Sequence, residues 1–248
     1  MRWLSVRPSP EGRRLLCILF IRFREVSAHA RGAGVLRGFR CGRGARPVSR
    51  RRSGQTLGNP GIAVKLVTPT EDHIESYEAA LVRGWSADNV RGKVAAAEEL
   101  ERLRSDPRSF LESMVDREAH VGPVTLPDGS TVPRLPGYRR WLWDGEFCGS
   151  IGFRRQRGTT ALPPHCLGHI GYAVVPWKQR QGYATLALRL FLPEVKAEGL
   201  PFVEITTDPE NVPSQRVIVA NGGVLVERFT KPPQFGSTPG LRFHIAFA

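Results

Sequence analysis

The chain has 248 residues, 41% of them hydrophobic, enough for one domain of ordinary size with a sizeable core and an extra segment. Its formal net charge of +13 is lopsided: residues 1–60 hold fourteen arginines, no lysine and only Glu11 and Glu25 as acids, while the remaining 188 residues set 22 bases against 21 acids. The body is therefore nearly neutral and its charge points to no polyanionic partner, and nowhere does the sequence approach the run of about eighteen apolar residues that a membrane helix needs.

The N-terminal stretch GAGVLRGFRCGRGARPVSRRRSG mixes Gly, Arg and Pro without a strand or helix period. An extension over residues 1–62 is therefore expected to be disordered, ahead of a folded domain over 63–248. The apolar run LLCILFI follows Arg13 and Arg14 and faintly resembles a secretory signal, but Arg22, Arg24 and Glu25 interrupt the approach to any cleavage site. An Arg-rich, acid-poor leader also fits an organelle transit peptide. A start assigned too far upstream, with the protein beginning near Val64, is the preferred reading. Nucleic-acid binding through the tail is the functional alternative to a simply solvated run. Cys17, Cys41, Cys148 and Cys166 are scattered with no CxxC or CxH spacing, which indicates neither a disulfide framework nor a metal site and agrees with a reducing, cytoplasmic setting.

From residue 63 the elements alternate. AVKLVTP predicts a strand, and TEDHIESYEAALVRG a helix with Thr70 as N-cap. NVRGKVAAAEELERLRSDPRSFLESMVDRE is strongly helical and interrupted near Pro107. Asp128-Gly129 marks a hairpin tip, and YRRWLWD and EFCGSIGFRRQ are strands joined across a second one, Asp144-Gly145. CLGHIGYAVVP is a strand rich in β-formers. GYATLALRLFLPEVKAEG is helical, with Pro193 expected to break or end it. FVEITTD is a strand, NVPSQRVIVANGG a helix ending in glycine, and VLVERFT and LRFHIAF are closing strands. Strands joined first by hairpins and later by helices imply a mixed α/β (α+β) fold, a sheet with helices packed on it.

Between the strand CLGHIGYAVVP and the next helix lies KQRQGYA. The first turn of a helix offers unpaired N–H groups and a positive dipole end, so it attracts phosphate. Gly182 lets the anion approach the backbone, Ala184 keeps the next position uncrowded, and Arg180 and Lys178 add charge at the rim. This is a candidate pyrophosphate cradle, although neither GxxxxGK[ST] nor a GxGxxG after a strand is present.

In this context the sequence resembles the GCN5-related N-acetyltransferase (GNAT) superfamily. Gln179, Gly182 and Ala184 match its [QR]-x-x-G-x-[GA] motif at a helix start, and Asn211, Ser214, Val217 and Gly222 match its second signature, N-x-x-[AS]-x-x-[LV] with a terminal glycine. The resemblance runs over residues 64–248 and is strongest from 139 to 230. HIGYAVVP and GYAT look like uncharacterised predicted acetyltransferases related to the ribosomal-protein acetylating branch.

The resemblance implies a GNAT fold with splayed strands at an acetyl-CoA cleft, acetyl-CoA as co-substrate and an amine as acceptor, in a monomer or homodimer. It implies a bulge in the strand His169–Val175, the thioester at the backbone of Val174 with Ala173 and Val175 beside it, and the pyrophosphate at the N–H groups of Arg180, Gln181, Gly182, Tyr183, Ala184 and Thr185. Gln179, Asn211 and Ser214 complete the cofactor set, Asn211 through its amide. An N–H aimed at the carbonyl oxygen stabilises the oxyanion formed when an amine attacks.

A lysine-like amine is mostly protonated at neutral pH, so a base must take its proton. His169, Glu204 on the next strand, or a water chain ending at either are the candidates. Tyr172 reads as a packing residue. Ile218 stands where many members carry the tyrosine that protonates the departing thiolate, which keeps a non-catalytic acyl-CoA sensor open as a rival. A nucleic-acid-associated protein is a third reading. A covalent role for Cys166 beside His165, or a metal at His165, Cys166 and His169, would need a geometry that sequence neighbours rarely form. Residues 70–135 and 157–166, which the resemblance makes the acceptor side, carry no decodable pattern.

Overall fold

The computed structural model describes residues 63–88, 91–125 and 131–247. The expectations for residues 1–62 and for the Asp128-Gly129 tip lie outside these residues.

Strand β1 (Lys65–Val67) is short and pairs antiparallel with the later strand that carries Leu142. At Thr70, whose hydroxyl meets Nδ1 of His73 at 2.7 Å, the chain enters a single 3-10 turn and then helix α1 (Ile74–Val82). Helix α2 (Lys93–Ser105) stops just ahead of Pro107, because the residue before a proline is driven out of the helical region. That residue, Asp106, caps α3 (Pro107–Met114) by accepting from the Ser109 N–H at 3.0 Å. A two-rung pairing of β2 (Val124–Thr125) with β3 (Thr131–Val132) leads to the hairpin of β4 (Gly137–Trp143) and β5 (Phe147–Arg154), turned at Asp144-Gly145. Then come β6 (Ile170–Val174), α4 (Tyr183–Lys196), β7 (Phe202–Thr207), α5 (Val212–Val219), β8 (Val224–Thr230) and β9 (Pro239–Ala246).

Besides the β2-β3 pair, the described strands form two antiparallel sheets, in orders β1-β4-β5-β6 and β7-β9-β8. The sheet is thus divided between β6 and β7, where the family resemblance implied splayed strands, and helices cover both faces. Side chains alternate along each strand. On β4, Tyr138, Arg140 and Leu142 face α4, where Arg140 pairs with Glu194 at 2.9 Å and Leu142 joins the buried cluster of Leu188, Phe191 and Ile151. Trp141 faces the other way and stacks on Tyr77 of α1 with centroids 4.5 Å apart, in a second cluster with Leu103, Phe110 and Phe147. Each of these fully buried side chains contributes about 1.5–3 kcal/mol.

Two expectations are corrected. Pro193 does not end α4, which continues to Lys196. The carbonyl that the proline leaves without a donor is that of Arg189, and both residues are on the exposed side of α4, where a missing helical bond costs least. The bulge is also displaced. β6 keeps an unbroken register with β5 from Ile170 to Val174, and the extra residue falls at Cys148 on β5. Beside it Gly149 has φ +148, and a Cβ there would lie 2.2 Å from the Ala173 carbonyl oxygen, so only glycine lets β5 approach β6 this closely.

Candidate active site

The divided sheet creates the site. At its closed end the His169 N–H donates to the Glu204 carbonyl at 2.7 Å, and the Glu204 N–H donates back to Nδ1 of the His169 ring at 3.0 Å. Beyond this double contact β6 and β7 belong to different sheets. The Val175 N–H bonds to the Cys148 carbonyl of β5 at 3.0 Å. Because backbone groups alternate along an antiparallel strand, those of Val174 point away from β5 into the gap, and those of Ala173 toward β5. The Val174 carbonyl accepts from Gln179 Nε2 at 3.1 Å, so the motif glutamine ties the loop to the strand.

The loop ends at α4 with Gly182 as N-cap in the left-handed region, φ 89, and no side chain caps the helix. Arg180 also has a positive φ of 61. The first intrahelical bond runs from Leu186 N–H to the Gly182 carbonyl at 3.0 Å, which leaves the N–H groups of Tyr183, Ala184 and Thr185 without acceptors in the helix. Gln181 and Arg180 are exposed at the rim. Lys178 is already engaged, 2.8 Å from both Asp144 and Glu146. The Tyr183 hydroxyl turns inward to Asp144 at 2.5 Å. Burial alone would raise the Asp144 carboxyl, but the hydrogen bonds from Lys178 and Tyr183 hold it down to about 2.

Across the gap, Asn211 caps α5, its Oδ1 accepting from the Ser214 N–H at 3.1 Å. The Tyr172 hydroxyl crosses from β6 to this first turn and lies 2.9 Å from Ser214 Oγ. Burial pushes its phenol well up, so it stays protonated. Ile218, one helical turn beyond Ser214 on the same side of α5, is fully buried.

On the opposite face of β4, β5 and β6 lies a cleft of about 460 Å³, walled by α2, α3 and the segment around His165. Glu99 of α2 lines it; its Oε1 accepts from the Ser86 hydroxyl at 2.6 Å and its Oε2 from the Tyr77 hydroxyl at 2.5 Å. Neither His169 nor Glu204 is among the lining residues. His169 is buried with Nδ1 occupied, and burial, aided by the charges of Arg154 and His244, lowers it to about 4. Glu204 is held by Arg242 Nε at 3.0 Å and lies 3.7 Å from His244 Nε2. Cys166 and His165 both line the cleft, yet the Cys166 thiol is directed at the Gly168 carbonyl at 3.7 Å. No cluster of potential metal ligands occurs among the described residues.

With this geometry in view, the family model for the acetyltransferase (GNAT) domain matches residues 66–224. The chain belongs to the GNAT acetyltransferase family. Among solved structures it is similar to a putative ribosomal-protein-serine acetyltransferase from Vibrio cholerae, 17% identical, covering 74% of this chain and 94% of that one with a TM-score of 0.47. It is also similar to RimL, a ribosomal L7/L12 alpha-N-protein acetyltransferase in complex with coenzyme A, at 13% identity, 75% and 96% coverage and a TM-score of 0.49. A third is the aminoglycoside acetyltransferase AAC(6')-Ib with coenzyme A and kanamycin, at 12% identity, 74% and 95% coverage and a TM-score of 0.45. No curated protein matches the sequence.

In this GNAT chain Val174 on β6, Gln179 to Thr185 leading into α4, and Asn211 and Ser214 at the head of α5 flank the gap, whereas Ala173 and, just beyond the end of β6, Val175 turn their backbones toward β5 and their side chains into the cluster on the opposite face. The two expected bases stand apart from the cleft. Glu99 and the Tyr172–Ser214 contact carry no sequence signal, since a glutamate in EELER reads as solvated and a strand tyrosine reads as core.

Proposed function

We propose that this protein transfers the acetyl group of acetyl-CoA directly to a primary amine. The observation that carries the proposal is the backbone of Val174, turned into the gap at the foot of the uncapped head of α4. The pyrophosphate of acetyl-CoA lies on the N–H groups of Arg180 to Thr185, and the acetyl carbonyl lies at Val174, whose N–H holds the developing oxyanion.

The amine enters through the cleft on the opposite face. Glu99, directly or through one water, takes its proton, a role supported by its place in the cleft wall and by two hydroxyl donors that fix its carboxylate. The amine nitrogen bonds to the acetyl carbon, the carbon–sulfur bond breaks, and the thiolate receives the Tyr172 hydroxyl proton; a solvent proton relayed through the Ser214 hydroxyl restores the phenol, and Glu99 releases the amine's proton to solvent. Tyr172 thereby supplies what Ile218 lacks. His169 joins the two sheets and titrates too low to serve as base at neutral pH, and Glu204 holds Arg242. The domain is residues 63–248, preceded by the Arg-rich extension, and it works in the cytoplasm, where the buried Cys148 and Cys166 remain thiols.

Thiol release from acetyl-CoA in the presence of a primary-amine panel tests this reading. Amine-dependent release that Gly182→Trp abolishes supports it. Tight binding without turnover of any amine replaces it with the acyl-CoA sensor.

A further inference from the structure

The charges in the cleft wall are unevenly matched. Five arginines and four carboxylates line it. Arg91 pairs with Asp88 at 2.8 Å and Glu98 at 2.6 Å, and Arg134 lies 3.9 Å from Asp116. Arg102, which lies 5.4 Å from the Phe110 ring centroid, Arg139 and Arg154 have no carboxylate partner among the described residues, and of these three only Arg139 and Arg154 stand on the sheet. Glu99, conversely, is held by two hydroxyls and by no salt bridge among the described residues.

The register explains why the two arginines share one patch. Arg139 on β4 sits opposite Gly152 on β5, Gly152 sits opposite Gly171 on β6, and Arg154 sits opposite Gly137. All five therefore lie on one face, and the glycines let the Arg139 stem lie low over Gly152 and Arg154 pass close beside Gly137, with Gly171 next in the row. The arginines are diagonal neighbours, with Cβ atoms about 7–8 Å apart, so both guanidinium groups can reach one anionic group. Arg154 is steadied by its Nε, which donates to the Gly168 carbonyl at 3.0 Å. A side chain at position 152 would meet the Arg139 stem at 3.1 Å. Two neighbouring cations repel one another until a ligand supplies the anion.

Building on the acetyltransferase reading, we propose that the acceptor is a small amine that also carries a carboxylate or phosphate, the acid held by Arg139 and Arg154 and the amine directed to Glu99. A cleft of about 460 Å³ accommodates a small molecule of this kind.

The test offers the full chain a panel of small primary amines, each as the free acid or phosphate and as its neutral amide or alcohol; O-phosphoethanolamine against ethanolamine, and aspartate against its diamide, are two such pairs. The acid forms should be acetylated at least about tenfold more efficiently, and Arg139→Met or Arg154→Met should raise KM for them by about tenfold or more with a smaller change in kcat. A second readout needs no turnover. With inorganic phosphate as probe, the arginine Nε–H resonances that disappear in Arg139→Lys and Arg154→Lys should shift in the wild-type protein. Equal or better turnover of the neutral forms, or phosphate that leaves both resonances unmoved at tens of millimolar, overturns the proposal. Calorimetry of acetyl-CoA alone separates the two levels, because cofactor binding that persists while acid preference is absent removes this inference and leaves the acetyltransferase reading standing.

Discussion

His169 and Glu204 are joined twice, by the His169 N–H to the Glu204 carbonyl at 2.7 Å and by the Glu204 N–H to the His169 ring at 3.0 Å. This pair closes one end of the gap between the two sheets, and everything attributed to the cofactor side lies beyond it. The ring nitrogen can accept that N–H only while it is unprotonated, so the hinge is sensitive to acid.

Stability should therefore fall with pH in a defined window. The His169 imidazole is held down to about 4 when folded, against 6.5 for an ordinary histidine. Between those values the unfolded chain binds a proton that the folded chain does not, so the stabilisation is complete above about pH 6.5 and is lost as pH falls toward 4, for a total of about 3 kcal/mol. Urea midpoints measured across that window should decline in the wild-type protein. His169→Asn, which keeps an acceptor for the Glu204 N–H without titrating, should flatten the decline. His169→Leu should cost about 1–3 kcal/mol above about pH 6.5, because it leaves that N–H unpaired, and the difference from wild type should shrink toward pH 4 as the wild type loses its own stabilisation.

Glu99 and Glu204 separate the two candidate bases. Glu99→Gln should lower kcat by about 100-fold or more. Glu204→Gln should slow turnover by less than about threefold, since its carboxylate meets Arg242 outside the cleft. The reverse pattern would restore Glu204 to the role its strand position first implied.

Tyr172→Phe should lower kcat by about tenfold or more while KM for acetyl-CoA stays near its wild-type value, with a smaller loss for Ser214→Ala. Purely structural damage would instead lower the melting temperature and leave kcat of the surviving folded fraction unchanged. Coenzyme A thiolate is a tolerable leaving group, so amine acceptors of higher reactivity should narrow the difference.

Several of these features were legible in the sequence because local chemistry fixes them. Gln179, Gly182 and Ala184 announce a helix head whatever the chain packs against, Asp144-Gly145 dictates a turn, and Asp106-Pro107 ends one helix while capping the next. Others depend on partners that a linear reading does not supply. Arg139 and Arg154 share a patch only through the β4–β5 register, and Glu99 is distinguished from Glu98 only by Tyr77 and Ser86 reaching it from elsewhere in the chain. Pro193 misleads for a similar reason: its cost depends on which way the Arg189 carbonyl faces, and that is decided by the packing of α4. The bulge moved to Cys148 because register is a property of a strand pair rather than of β6 alone.

The head of α4 can be tested by calorimetric titration of acetyl-CoA into the full chain and its Gly182→Trp variant, with circular dichroism to show that both are folded. The wild-type protein should bind acetyl-CoA with micromolar affinity or better, and the variant, whose indole would occupy the space over the uncapped N–H groups, should lose at least about 2 kcal/mol, some thirtyfold in Kd. A folded wild-type chain that takes up no acetyl-CoA, or a variant that binds as tightly as its parent, would contradict the placement of the cofactor at this gap.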